Sequence, residues 1–219
     1  MFEINSSKKP AVIIRPWRNG LFRQPELFLF CGLLFFLNIP LFLTGLPHPA
    51  LFFQTDLPAS GKILAFFTHA FVHVSPYHLL IDGIGFFAVY TALRQPEILV
   101  RFWYGGCALA GALGLALLSP LAEQVGYCGL SGLAHGLMAV MGLELLTEKE
   151  NRIFGLGVLL VLMVKAGVEV ATGTLPFEDL HPGGLGTPLV TAHAGGILGG
   201  FFAFGTEALT RKIRRGKVF

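Results

Sequence analysis

The sequence predicts an all-α membrane protein built as a bundle of six transmembrane helices. Three observations predict it. Of 219 residues, 53% are apolar and only 13% are charged, and the mean hydropathy is +0.67. A water-soluble domain of this size needs far more charged surface, a need that lipid removes. Second, the apolar residues gather into runs near the roughly 20 residues that a helix needs to cross a hydrocarbon core about 30 Å thick. Third, Lys and Arg concentrate at the two ends, in Lys8, Lys9, Arg15, Arg18 and Arg23 and in Arg211, Lys212, Arg214, Arg215 and Lys217. Beside apolar spans such residues mark a cytoplasmic membrane face and not a nucleic-acid partner.

The first run covers 26–46, with Pro40 as a break that bilayer helices tolerate. No small-residue cleavage site follows it, so it is expected to stay as a span. The second and third runs cover 75–93 and 98–118. The fourth, 130–147, is short and follows a Gly-rich loop, so it is expected to begin inside the membrane with its approach buried in protein. The fifth and sixth cover 153–173 and 187–207. The chain thus divides into a basic N-terminal segment 1–25, a membrane domain 26–207 and a basic tail 208–219.

Orientation follows from the links. Links 94–101 and 147–152 carry Arg94, Arg101, Lys149 and Arg152. Links 47–74, 119–129 and 174–186 carry only Lys62 among Lys and Arg, with Asp56, Glu123, Glu178 and Asp179. Both termini and the two basic links are therefore expected on the cytoplasmic side. The link 47–74 ends in Phe66, Phe67 and Phe71 and reads as a loop partly embedded at the interface. Cys31, Cys107 and Cys128 lie in or beside apolar runs and read as buried small hydrophobes rather than a disulfide framework.

Alternating helix directions bring His78, Asp82, Ser131, His135, Lys165, Glu169 and His193 to one depth, in the outer half of the bilayer. Ionisable groups are costly there, so their gathering points to a polar cavity open to the outer side. Ser131 stands in Gly129-Leu130-Ser131-Gly132 at the start of the fourth span. A serine needs a base to become a nucleophile, glycines allow close approach, and a helix start offers free N–H groups to a developing oxyanion. Membrane helices also use Gly and Ser for packing, so this motif alone decides nothing.

His193 stands in Thr191-Ala192-His193-Ala194-Gly195-Gly196, followed by Gly199 and Gly200. Ala192, Gly196 and Gly200 recur every four residues and would let a partner helix approach backbone to backbone, bringing a serine to the imidazole. A structural hydrogen bond is the other reading of this histidine. His135 follows Ser131 by four residues and is a rival base on the same helix face. The run His69, His73, His78 and Asp82 suggests a metal, but Pro76 interrupts it and no Cys ligand is nearby, so no metal is expected. Lys165 and Glu169 are one turn apart. They form either a structural ion pair or a substrate-reading pair facing the cavity.

Gly-x-Ser-Gly at Ser131, Ala-His-x-x-Gly-x-x-x-Gly at His193 and His-x3-His-x4-His-x3-Asp at 69–82, in this order, resemble the rhomboid family of intramembrane serine proteases over about residues 62–207. The resemblance implies a six-helix rhomboid-like bundle with a Ser131/His193 dyad, no third acid and no cofactor. It implies that His78 and Asp82, with the Ser131 N–H beside Gly129, help bind the oxyanion. The substrate would be a transmembrane or membrane-anchored protein met within the lipid bilayer.

Within the family the chain looks most like the rhombosortase subgroup. The grounds are its compact size, Gly-Leu-Ser-Gly-Leu-Ala-His-Gly at 129–136 and the Lys165/Glu169 pair. That implies a bacterial inner-membrane enzyme processing exported proteins with a C-terminal Gly-Gly, hydrophobic and basic sorting tail. Three departures stand out. Most rhomboids carry asparagine at the Asp82 position, many carry tyrosine at His135, and many carry Trp-Arg where Leu64-Ala65 stands. An ionised Asp82 only accepts hydrogen bonds, so it is expected either to be protonated or to pair with His69, His73 or His78. Two other readings are a catalytically inactive rhomboid-like protein that binds membrane clients, and a small transporter or proton channel. The first usually lacks the serine or histidine, and the second leaves Gly-x-Ser-Gly unexplained and lacks an internal repeat.

Overall fold

Backbone in lipid must satisfy its own hydrogen bonds, and the apolar runs do so as α-helices in the computed structural model. The structure describes residues 24–176 and 183–216. The basic residues Lys8 to Arg23, Lys217, the side chain of Arg215, and Glu178 and Asp179 lie outside the described residues. Among the described residues the helices are α1 (Glu26–Leu37), α2 (Ile39–Thr44), α3 (Ala59–Thr68), α4 (Pro76–Ala92), α5 (Ile98–Ala116), α6 (Leu121–Val125), α7 (Ser131–Thr147), α8 (Arg152–Thr172) and α9 (Val190–Gly216). Extended chain pairs only at one bridge among them, Phe53 with Tyr127.

By length and composition, three stretches are long and apolar enough to cross a membrane: Glu26–Thr44, Ile98–Ala116 and Arg152–Thr172. Ala59–Phe71 with Pro76–Ala92 makes a fourth if the pair is one span, bent by 74°. The link expected at 47–74 as a loop therefore contains a helix, α3, with Ile63, Leu64, Phe66 and Phe67 exposed. Its polar neighbours Ser60, Gly61 and Lys62 hide it from a search for long apolar runs.

The break expected at Pro40 falls at Asn38, between α1 and α2. Buried Asn38 donates to the carbonyls of Leu34 and Phe71, both at 2.7 Å, and accepts the His73 N–H at 2.9 Å. Every polar atom of this amide side chain is thus used, and the histidine-bearing turn is tied to the α1–α2 break.

Burial is reversed from that of a soluble protein. Ile153, Leu99 and Leu43 point outward, while Arg101, Asp82 and Glu169 lie inside. Cys31 belongs to the outward set, so it is not the buried hydrophobe that was expected. An apolar side chain facing lipid is out of water without being inside the protein. Arg101, expected in a cytoplasmic link, is buried on α5. Its Nε donates to Glu26 Oε1 at 2.8 Å and its Nη1 to the carbonyls of Gln95 and Pro96, both at 2.8 Å. At the same end, Arg94 pairs with Glu148 at 3.7 Å and joins the two basic links.

The innermost helix is α7, packed against α9, α8, α5 and α4, and the helix closest to it is α9, which packs mainly against α5 and α7. Its glycines explain the closeness. A Cβ on Gly196 or Gly200 would strike the carbonyl oxygens of Gly132 or Gly136 on α7, and one on Gly195 or Gly199 would strike those of Gly111 or Cys107 on α5. Side-chain bulk is missing on two adjacent stripes, so both neighbours approach to backbone contact.

Candidate active site

The glycine contacts set the axial register of α7 and α9, which run parallel. Gly132 meets Gly196 and Gly136 meets Gly200. Ser131, the first residue of α7, thereby comes level with His193 near the start of α9. His193 Nε2 lies 3.0 Å from Ser131 Oγ. The chain enters α7 through Gly129 at φ +105°, in the left-handed region that favours glycine. Its N–H donates to the His69 carbonyl at 3.0 Å. A Cβ there would meet Asp82 Oδ2 and the His78 ring, both at 3.0 Å.

On one side of the serine stands the carboxylate of Asp82. It accepts the Ser131 N–H at 3.0 Å and lies 3.2 Å from His78 Nε2 and 3.5 Å from His73 Nε2. The carboxylate thus lies beside two of the three histidines of the 69–82 run. His69 turns away and bonds the Ala65 carbonyl at 2.9 Å.

Across the serine, His193 Nδ1 lies 2.7 Å from Glu169 Oε2. The other carboxylate oxygen of Glu169 pairs with Lys165. Lys165 also reaches His135 Nε2 at 2.9 Å, and His135 Nδ1 lies 2.7 Å from the Ser131 carbonyl oxygen. The His135 ring stacks on His193 with centroids 4.1 Å apart and planes 10° apart. A cavity of about 280 Å³ opens beside these groups, lined by Ser131, His193, His78, Asp82, His135, Lys165 and Glu169, with Gly186–Leu189 and Val125–Cys128 as walls. Ser75 Oγ caps α4 by accepting the His78 N–H at 3.0 Å and donates to the Gly184 carbonyl, anchoring the loop that walls the cavity.

A sequence model of the Rhomboid domain matches residues 60–207, more than half of the chain. The chain belongs to the rhomboid family. No curated protein and no solved structure matches it. Rhomboids are generally serine proteases that act on membrane proteins within the bilayer, and the family together with the apolar helices marks this chain as an integral membrane protein.

Ser131, His193, His78, Asp82, His135, Lys165 and Glu169 line this rhomboid's cavity and Gly129 stands beside it, while His69 does not reach it. What sequence reasoning missed is the contact between Glu169 and His193. The signal available was weak: a Lys–Glu pair at the depth of His193, with no indication of which way it faced. His135, Glu169 and His193 also present ligand atoms within 4.8 Å of one another, the spacing of a metal cluster. The Lys165 ammonium bonds two of the three and already supplies positive charge there.

Proposed function

We propose that this rhomboid is an intramembrane serine endopeptidase, with Ser131 as nucleophile and His193 as general base. The observation that carries the reading is the 3.0 Å approach of Nε2 to Oγ at a cavity wall. Ser131 Oγ attacks the scissile carbonyl carbon as its proton passes to Nε2. The oxyanion forms beside the first turn of α7 and His78, with the Ser131 N–H taken over from Asp82. Collapse breaks the C–N bond, Nε2 returns the proton to the leaving amine, and an acyl group stays on Oγ. Water entering from the cavity gives a proton to Nε2 as its oxygen adds to the acyl carbon. The C–Oγ bond then breaks, Nε2 returns the proton to Oγ and the acid leaves.

Six spans go with this reading: α1 with α2, then α4, α5, α7, α8 and α9. Segment 1–25 and tail 208–219 are cytoplasmic, and the cavity opens to the opposite side. The Arg94–Glu148 pair supports this by joining two basic links at the far end of α7 from Ser131. The substrate class we favour is that of the rhombosortases, exported bacterial proteins with a Gly-Gly sorting tail at the inner membrane. Lys165, with its side chain about one-third exposed (37%), is the member of its pair able to meet substrate.

The test is labelling of the detergent-solubilised protein by a small fluorophosphonate. Wild type should label, while folded Ser131→Ala and His193→Ala should each lose labelling, with the double variant no worse. Full labelling of Ser131→Ala sinks the assignment. A client-binding role without catalysis has one contact in its favour, the engagement of the Ser131 N–H by Asp82. Folded wild type that never labels would hand the chain to that reading.

A further inference from the structure

We propose that Glu169 is a positioning residue: it holds His193 in the tautomer whose Nε2 lone pair faces Ser131. The proposal rests on the serine–histidine reading above. A neutral imidazole carries one proton and one lone pair on its two nitrogens. Glu169 Oε2 lies 2.7 Å from Nδ1, and an ionised carboxylate only accepts, so Nδ1 carries the proton. Nε2 is then bare, 3.0 Å from the serine hydroxyl.

The carboxylate is held in place. Glu169 is fully buried on α8, and its second oxygen is paired with Lys165 one turn earlier. Lys165 Nζ also donates to His135 Nε2, and His135 Nδ1 returns to the carbonyl of Ser131 itself. The contacts thus close a circuit through α7, α8 and α9, from Ser131 Oγ through His193, Glu169, Lys165 and His135 to the Ser131 backbone. A purely structural ion pair needs Lys165 and Glu169 alone. It does not account for a carboxylate oxygen turned inward onto Nδ1. When Nε2 takes the serine proton, the imidazolium forms beside this carboxylate, which offsets a charge that is costly away from water.

The experiment measures the fluorophosphonate labelling rate of the full chain, from about pH 5 to about pH 10, for wild type, Glu169→Gln and Glu169→Asp. The Gln amide can donate to Nδ1 and hold the wrong tautomer. Glu169→Gln should therefore label roughly 100-fold or more slower near neutrality. Its rate should climb with hydroxide, which must then deprotonate the serine, and Glu169→Asp should recover much of the loss. Labelling of Glu169→Gln within about threefold of wild type near neutrality overturns the proposal. Labelling that persists in Ser131→Ala or His193→Ala breaks the underlying reading instead. If Glu169→Gln does not fold, ring ¹⁵N shifts of wild type, with the His193 signals assigned by their loss in His193→Gln, decide the matter. A protonated Nδ1 and a bare Nε2 support the proposal, and the reverse tautomer overturns it.

Discussion

At the scale of single residues, the partners of an imidazole decide which nitrogen carries its lone pair. His135 Nε2 faces the Lys165 ammonium at 2.9 Å, and an ammonium only donates. Nδ1 of His135 is therefore the donor to the Ser131 carbonyl, and no lone pair remains for the serine hydroxyl. The rival base expected from its spacing is thus occupied. Its ring packs on His193 where many rhomboids place a tyrosine. Asp82 carries a prediction of its own. Its carboxylate accepts the Ser131 N–H but cannot donate to an oxyanion. Asp82→Asn keeps the acceptor and adds a donor, so probe labelling should stay within about tenfold of wild type, while Asp82→Ala should lose more. An Asp82→Asn protein as unreactive as Ser131→Ala would refute this. The individual residues were legible because charged groups within apolar runs are costly and because the serine and histidine motifs occur together in one order. The Glu169–His193 contact was not legible, because it joins residues 24 apart on two helices whose rotation local sequence does not state.

At the scale of elements, the glycine stripe of α9 was readable as a close-packing surface, but its partners were not. The stripe is double, serving α7 through Gly196 and Gly200 and α5 through Gly195 and Gly199. Gly196→Ala should push α9 away from the Gly132 carbonyl, cost about 1–3 kcal/mol and slow labelling by displacing His193. Gly205→Ala is the control, because a Cβ on Gly205 meets nothing within 4 Å. It should be neutral or mildly stabilising, since Ala is the better helix former by roughly 0.5–1 kcal/mol. Thermal unfolding and the probe rate would be measured together. Equal stability and equal reactivity of the two variants would rule out a register set by Gly196. The bounds expected for the helices lie close to those observed, since apolar run length is a local property. The exception is α9, which continues to Gly216, nine residues past the expected end at 207, because a helix need not stop where its residues turn charged. α3 escaped because it is short and begins among polar residues.

At the scale of the whole molecule, the buried Arg101–Glu26 pair ties α1 to α5, with Tyr90 donating to the same Glu26 oxygen at 3.1 Å. Glu26→Gln leaves the Arg101 charge buried without its partner and should cost about 3–5 kcal/mol, whereas Glu26→Leu with Arg101→Met should cost much less. Thermal unfolding in detergent measures both, and an unchanged midpoint for Glu26→Gln would show that the pair carries no stability. The sequence by itself determined the all-helical class, the position of most of the apolar helices, the family and the polar residues that the structure gathers around one cavity. Each of these follows from composition, run length or a short motif, all of them local. Only the tertiary structure decided that Glu169 stands behind His193, that Lys165 binds His135, that Asp82 holds the Ser131 N–H and that Arg101 is buried. Such contacts depend on the rotation and axial offset of whole helices, which among α5, α7, α8 and α9 are limited by glycine-to-backbone contacts between different helices.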